Sequence, residues 1–243
     1  MEIQVLDDST DESVALTAQL VAAYQNQGFT IEHLRRKERT GFKAGALKAG
    51  LTSAKGTLIA IFDADFIPPK DWLLRTVPYF KDEKIGVVQT RWGHLNTNYS
   101  LLTKVQAFAL DAHFTLEQSG RNSQGHFINF NGTAGIWRKA CILDAGNWEG
   151  DTLTEDLDLS YRAQLKQWKF KYLEEIETPA ELPVTISAVR SQQFRWNKGG
   201  AENFRKFINY FFITLYLYIY IIYICRNVCK LNTCTASILV FYK

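Results

Sequence analysis

The chain has 243 residues, enough for one large α/β domain with a buried core and too few for two domains of that size. Its formal net charge of +3 comes from the segment 207–243, which contains Arg226, Lys230 and Lys243 and no acidic residue. The rest of the chain has equal numbers of basic and acidic residues, so it lacks the basic face that nucleic-acid binding requires. No nucleic-acid partner is therefore expected.

In chain order, the first half predicts alternating strands and helices. Short apolar runs predict strands at 3–6, 31–34, 58–62 and 85–89, and spaced apolar residues predict helices at 14–24, 44–51 and 72–80. The second half is more helical, with apolar stripes at 102–116, 155–168 and 186–196. Strands that alternate with helices favour an α/β fold built on a mostly parallel central sheet covered on both faces.

Two of the predicted strands are followed immediately by acidic residues. Asp7 and Asp8 end the first strand, and Asp63 and Asp65 end the clearest strand in the chain. Ligands collect at the carboxyl ends of parallel strands, and paired carboxylates are suitable ligands for Mg²⁺ or Mn²⁺. An isolated Asp-x-Asp is more often a solvated turn, so the prediction of a metal site depends on the buried strand that precedes Asp63. The chain lacks the glycine patterns of dinucleotide and ATP sites.

Two later motifs each allow two interpretations. Thr154-Glu155-Asp156 opens an amphipathic helix, where Thr154 can serve as the N-cap and the acids can complement the helix dipole. The same acids are also candidates for chemistry. Arg195 and Trp196 can bind a phosphate and stack on a sugar ring, or can lie at a membrane surface on an amphipathic helix.

The C-terminal part contains a run of nineteen almost wholly apolar residues at 207–225, with Arg205-Lys206 before it and Arg226 after it. A run of this length with basic flanks is typical of a transmembrane segment. The alternative is that this low-complexity stretch is a sequencing or gene-model artefact. We therefore divide the chain into a catalytic domain at 1–206 and a hydrophobic tail at 207–243.

Four motifs occur together in one order: Asp7-Asp8-Ser9, Asp63-Ala64-Asp65, Thr154-Glu155-Asp156 and Gln192-x-x-Arg195-Trp196. In this order and spacing the chain resembles the processive branch of glycosyltransferase family 2, most closely the cellulose-synthase-like mannan and glucomannan synthases and their bacterial relatives. The segments 42–47, 88–92, 130–135 and 168–170 match that group as well. The resemblance covers Val5 to about Arg205 and implies a GT-A-type fold.

The resemblance also implies roles for individual residues. It assigns Asp156 as the general base that deprotonates the acceptor. It assigns the donor site to Asp7, Asp8, Lys43, Asp63 and Arg195. It assigns the metal to Asp63 and Asp65, with Asp65 as the more direct ligand. It assigns the acceptor site to Trp196, Gln192 and Trp92.

These roles imply an inverting transfer of a hexose from a UDP- or GDP-sugar to an acceptor hydroxyl, most simply in the synthesis of a β-1,4-glycan. Two alternatives stay open: addition of a single sugar to a ceramide-type lipid, and an inactive membrane-associated fragment. The resemblance implies an association with the inner membrane or a Golgi-type membrane, with the catalytic domain on the cytosolic side.

The resemblance further implies a strand and a helix before Glu2 and several membrane spans after Arg205. We therefore expect that these 243 residues alone make no high-molecular-weight polysaccharide.

Overall fold

A computed structural model describes the backbone of residues 1–228 and the side chains of residues 1–208. Residues Met1–Gly200 form one compact unit, and a second unit begins at Ala201. The strands are β1 (Ile3–Asp7), β2 (Ile31–Arg35), β3 (Leu58–Ile61), β4 (Ile85–His94), β5 (Gly135–Arg138) and β6 (Lys169–Ala180). The helices are α1 (Ser13–Asn26), α2 (Phe42–Ser53), α3 (Trp72–Thr76), α4 (Leu101–Ala112), α5 (Ser119–Ser123), α6 (Lys139–Asp144), α7 (Glu155–Leu165) and α8 (Ile186–Val228).

The described strands form two hydrogen-bonded sheets. Strands β1 and β2 pair in parallel, and the second sheet has the order β3-β5-β4-β6. Strand β5 is antiparallel to both β3 and β4, whereas β4 and β6 are parallel. The predicted α/β fold is confirmed. The four-stranded sheet is mixed rather than mostly parallel, because β5 runs against both of its neighbours although the other three strands share one direction.

The apolar core lies on both faces of the four-stranded sheet. Val87 and Trp137 pack into one buried cluster, while their chain neighbours Val88 and Ile136 pack into another. Successive side chains of a strand point to opposite faces, so a wholly apolar segment is expected where both faces are covered. This packing explains why β5 could not be recognised by alternation: Gly135, Ile136 and Trp137 are all buried.

Three elements differ from the sequence-based expectation. The predicted helix at 72–80 is a short α-helix followed by a 3₁₀ turn at Val77–Lys81, which contains Pro78. Strand β4 runs five residues past its predicted end, because its second half pairs with β6. The helix predicted from the stripe at 102–116 is divided into α4 and a π-helical segment at His113–Gln118, and Val105 on the first part and Leu116 on the second face solvent.

The predicted membrane segment 207–225 falls almost wholly on residues whose side chains lie outside the described part of the chain. Within the described part, no helix has the length and hydropathy needed to cross a bilayer.

Candidate active site

Helix α2 presents Lys43 from a tight turn at its first residues. Gly41 and Phe42 both have positive φ angles, 72° and 45°, which is common for glycine and rare for phenylalanine. The Arg36 guanidinium holds this turn by donating hydrogen bonds to the carbonyl oxygens of Thr40 and Phe42, each at 2.9 Å. The turn therefore places Lys43 at the first turn of the helix, directed toward the end of β3.

Arg36 also connects this turn to Asp8, at the end of β1. Its Nε donates to Asp8 Oδ1 at 3.0 Å, and its Nη2 donates to Asp8 Oδ2. The Arg36 hydrogen bonds hold the pKa of Asp8 below its usual range. Arg36 was not among the predicted site residues, although its place directly after β2 puts it beside the end of β1.

Asp7 points into the protein. It is only 8% exposed, and its carboxylate accepts hydrogen bonds from Ser9 N at 2.8 Å and His33 Nε2 at 2.7 Å. The hydrogen bonds from Ser9, and to a smaller extent the one from His33, lower the pKa of the Asp7 carboxyl to about 2. Donor binding by Asp7 stays a prediction, and the geometry gives this residue a second role in fixing the loop that carries Asp8.

The Asp63 and Asp65 carboxylates lie just beyond the carboxyl end of β3. The backbone N–H of Asp63 donates to Thr133 Oγ1 at 2.8 Å, and Lys43 Nζ lies 2.5 Å from Asp63 Oδ1. The Asp63 side chain is 42% exposed, and Asp65 is exposed. Partial desolvation, with the Asp63 charge, raises the pKa of Asp65. Two accessible hard-oxygen groups beside one lysine are a donor set that fits Mg²⁺ or Mn²⁺.

Asp156 lies in the first turn of α7 and faces the same space. A Cβ added to Gly132 would lie 3.0 Å from Asp156 Oδ2 and 3.5 Å from Lys43 Nζ, so this loop position approaches both groups closely. The Ser160 hydroxyl connects the loop to α7, because it accepts from Phe130 N and donates to Asp156 O. The Gly132 loop thus forms one wall around the base candidate.

Desolvation makes the Asp156 carboxyl a weaker acid than an ordinary aspartate. Desolvation, and then repulsion by Glu155, raises the pKa of Asp156 to about 7. The pKa of Glu155 is also raised by desolvation, against the opposing charges of Lys43 and Arg195. Neighbouring acids with displaced pKa values beside a lysine are typical of a catalytic site. Thr154 occupies the N-cap position of α7 and the acids lie in the first turn, as predicted, but the Thr154 side chain makes no capping hydrogen bond.

Helix α8 contributes Gln192, Arg195 and Trp196 from one face. The Trp196 ring lies 6.5 Å from the Trp92 ring, centroid to centroid, and Trp92 packs in turn on Phe66 and Phe114. Arg195 is exposed and its charge acts on Glu155. Arg195 is therefore brought to the side of the site where Glu155 lies, and Trp196 is brought near Trp92.

A second group of carboxylates occurs away from β3. Among the described residues, one group of three potential metal ligands has all its donor atoms within 4.8 Å of one another. It consists of Glu149, Asp151 and Asp158. Asp158 is fully buried and is bonded through Oδ2 to the Arg162 guanidinium. Asp158 is inaccessible, whereas Asp63 and Asp65 are open to solvent, so Asp63 and Asp65 stay the predicted metal ligands.

A mixed sheet with carboxylates, a lysine and an arginine gathered beside the ends of its strands is the arrangement expected of a GT-A-type glycosyltransferase domain. The chain belongs to the family described as glycosyltransferase like family 2, whose model matches residues 2–199. It is 46% identical over 209 residues to glucomannan 4-beta-mannosyltransferase 9 of Arabidopsis thaliana, covering 84% of this chain and 39% of the relative. A probable glucomannan 4-beta-mannosyltransferase 11 of Oryza sativa subsp. japonica is 48% identical, with coverages of 84% and 37%. The chain thus spans under two fifths of the length of both relatives.

Solved structures show the same fold at low sequence identity. The mannosyltransferase PcManGT from Pyrobaculum calidifontis, in complex with GDP-Man and Mn²⁺, matches with a TM-score of 0.66 at 17% identity, covering 86% of this chain and 55% of that one. S. aureus TarS 1-349 in complex with UDP-GlcNAc matches with a TM-score of 0.56 at 17% identity, with coverages of 76% and 50%.

Proposed function

We propose that this protein is an inverting glycosyltransferase that transfers mannose from GDP-mannose to a hydroxyl of a β-1,4-linked glycan. The observation that carries the proposal is the gathering of Lys43, Asp63 and Arg195 beside Glu155 and Asp156, the two neighbouring acids at the start of α7. The mannan-type product is supported by the names of relatives at 45–48% identity. GDP-mannose as donor is supported by the ligand named for PcManGT, which shares the fold.

Lys43 and Arg195 account for the departure of the leaving group. When the sugar leaves a nucleoside diphosphate, negative charge develops on the diphosphate oxygens, and cations already in place stabilise that charge. Lys43 approaches from α2 and Arg195 from α8, so the diphosphate would lie between two separately anchored cations. A divalent ion held by Asp63 and Asp65 would supply further electrostatic stabilisation of the same oxygens.

Asp156 accounts for the attack. An acceptor hydroxyl is a weak nucleophile and must lose its proton as it attacks, and a carboxylate whose pKa is near 7 is suited to accept it. Direct attack on the anomeric carbon inverts its configuration, so a single base suffices. Trp196 and Trp92 supply apolar ring surfaces beside the base, where an acceptor sugar can stack.

Identifying the donor that is used and the product that is formed tests this proposal. Membranes from cells that express the protein are incubated with short β-1,4-manno-oligosaccharides and either GDP-[¹⁴C]mannose or UDP-[¹⁴C]glucose. We expect label to be incorporated from GDP-mannose and released again by an endo-β-1,4-mannanase. A labelled product that extracts into organic solvent would favour the lipid-glucosylating alternative, and no incorporation from either donor would favour the inactive fragment.

We further propose that α4 lies on a membrane surface, on the cytosolic side of the membrane. Leu101, Val105 and Phe108 form one stripe on this helix and are 78%, 58% and 78% exposed. The charged residues of α4 are Lys104 and Asp111, and Asp111 faces Arg91 and His94 at the end of the helix. An apolar stripe beside a basic residue is suited to an anionic lipid surface.

Hydrogen exchange tests this contact independently of any other membrane anchor. With phosphatidylcholine–phosphatidylserine vesicles, we expect deuterium uptake to fall in peptides that cover α4, and Phe108→Ser to remove most of that protection. The equally exposed Leu74 supplies the control, since Leu74→Ser should leave the protection of α4 unchanged. Uptake in α4 that is the same with and without vesicles would contradict the proposal.

A further inference from the structure

Gly199 on α8 lies directly against Thr154, the residue that precedes Glu155 and Asp156. A Cβ built on Gly199 would lie 2.5 Å from Thr154 Oγ1, 2.6 Å from its Cγ2 and 2.9 Å from its Cβ. Ordinary contacts between such atoms are about 3.5–4.0 Å. The backbone of α8 can therefore approach Thr154 this closely only because residue 199 has no side chain.

The face of α8 that touches Thr154 is the face that carries the site residues. Gly199 follows Gln192 by seven positions, Arg195 by four and Trp196 by three, and these spacings place all four residues on one side of a helix. Two contacts thus set the position of this face, Trp196 on Trp92 and Gly199 on Thr154. The second contact joins α8 to the start of α7, one residue before the acidic pair.

We propose that Gly199 is a positioning residue that sets the distance between Arg195 on α8 and Asp156 on α7. The inference rests on the proposed function, which gives Arg195 the leaving diphosphate and Asp156 the acceptor proton. These two groups act on opposite sides of the same anomeric carbon, so their separation decides whether departure and attack proceed together. A methyl group at position 199 has to move α8 by about 1 Å to restore normal contacts, and a misplacement of about 1 Å can cost about 100-fold in rate.

The adjacent Gly200 provides a matched control. A Cβ built on Gly200 meets nothing within 4 Å, and alanine raises the helix propensity equally at the two positions. We expect Gly199→Ala to lower kcat for mannosyl transfer by about 100-fold, while the Kd of GDP measured by calorimetry changes much less. Nucleotide binding is less affected because Asp8, Lys43 and Asp63 do not lie on α8, and Arg195 is the one residue assigned to the diphosphate that moves with this helix. Gly200→Ala should match the unmodified protein in both measurements.

A second substitution separates positioning from general damage to the fold. Thr154→Gly removes all three close atoms, and glycine is well accepted at an N-cap position. The double variant Thr154→Gly/Gly199→Ala should therefore recover the kcat of Thr154→Gly alone. If Gly199→Ala does not fold, the double variant carries the test by the same comparison.

Two results would overturn the inference: equal kcat for Gly199→Ala and Gly200→Ala, or a double variant with lower activity than Thr154→Gly alone. Asp156→Asn, assayed in parallel, shows which idea has failed. An absence of mannosyl transfer by the unmodified protein removes the proposed function itself. An active Asp156→Asn protein removes the role of Asp156 as the base, whereas an inactive one beside a fully active Gly199→Ala removes only the role of Gly199.

Discussion

Asp156→Asn is expected to lower kcat by about two orders of magnitude or more, while the affinity for GDP barely changes. Asparagine preserves the size of the side chain and can still accept the hydrogen bond from Leu157 N that Asp156 Oδ1 accepts at 2.8 Å. It cannot accept a proton from the acceptor. The measurements are kcat for transfer to a manno-oligosaccharide and the Kd of GDP by calorimetry.

The raised pKa of Asp156 adds a pH signature to this prediction. A base works only when it is unprotonated, so activity of the unmodified protein should rise with pH through about 7 and level off above it. The raised pKa of Asp156 also makes the stability of the folded protein depend on pH. Because the folded state binds this proton more tightly than the unfolded state, the contribution of Asp156 to stability is largest at acidic pH. That contribution is lost as pH rises from about 4 to about 7. Asp156→Asn should remove both dependences.

Asp71→Asn is the control for the loss of one carboxylate, since the Asp71 side chain is 57% exposed and lies away from Lys43. It should leave kcat unchanged. Asp156→Asn with full activity and only about 1 kcal/mol lower stability would mean that the acid serves the start of α7 and nothing more.

Asp65→Asn is expected to weaken metal-dependent binding of GDP by about ten- to a hundredfold. Asp63 and Asp65 supply the accessible oxygens at the end of β3, and replacing one carboxylate removes both charge and ligand capacity. Asp65 is the sharper choice because Asp63 also forms the ion pair with Lys43, so its replacement would disturb two functions. Calorimetric titrations of GDP with Mn²⁺, with Mg²⁺ and with a chelator measure the effect.

The chelator titration also identifies the metal-dependent fraction of binding. In the unmodified protein, affinity should fall when the chelator is present, and in Asp65→Asn the chelator should make little further difference. Asp71→Asn again serves as the control and should behave as the unmodified protein. Identical affinities for GDP with metal and with chelator would contradict a metal at this site.

Local sequence patterns were enough to predict the features of this protein that depend on residues close together in the chain. Strands β1 and β3 are short apolar runs that end in acids, and a buried parallel strand is a local pattern that can be read without a partner. The four acidic and basic motifs likewise keep their order and spacing along the chain, and they were sufficient to identify the family that the comparisons confirm. Asp8, Lys43, Asp63, Asp156 and Arg195 were all named on that basis.

The contacts between segments far apart in the chain became visible only in the folded structure. Strand β5 runs against its neighbours and lies between β3 and β4, although it follows both in the chain. Arg36 joins Asp8 to the turn before Lys43, Gly132 makes room for Asp156, and Gly199 meets Thr154 forty-five residues away. A glycine in a sequence shows only that a side chain is absent. Which atoms occupy that space depends on how sheets and helices pack across long chain separations, and composition and periodicity do not contain that information.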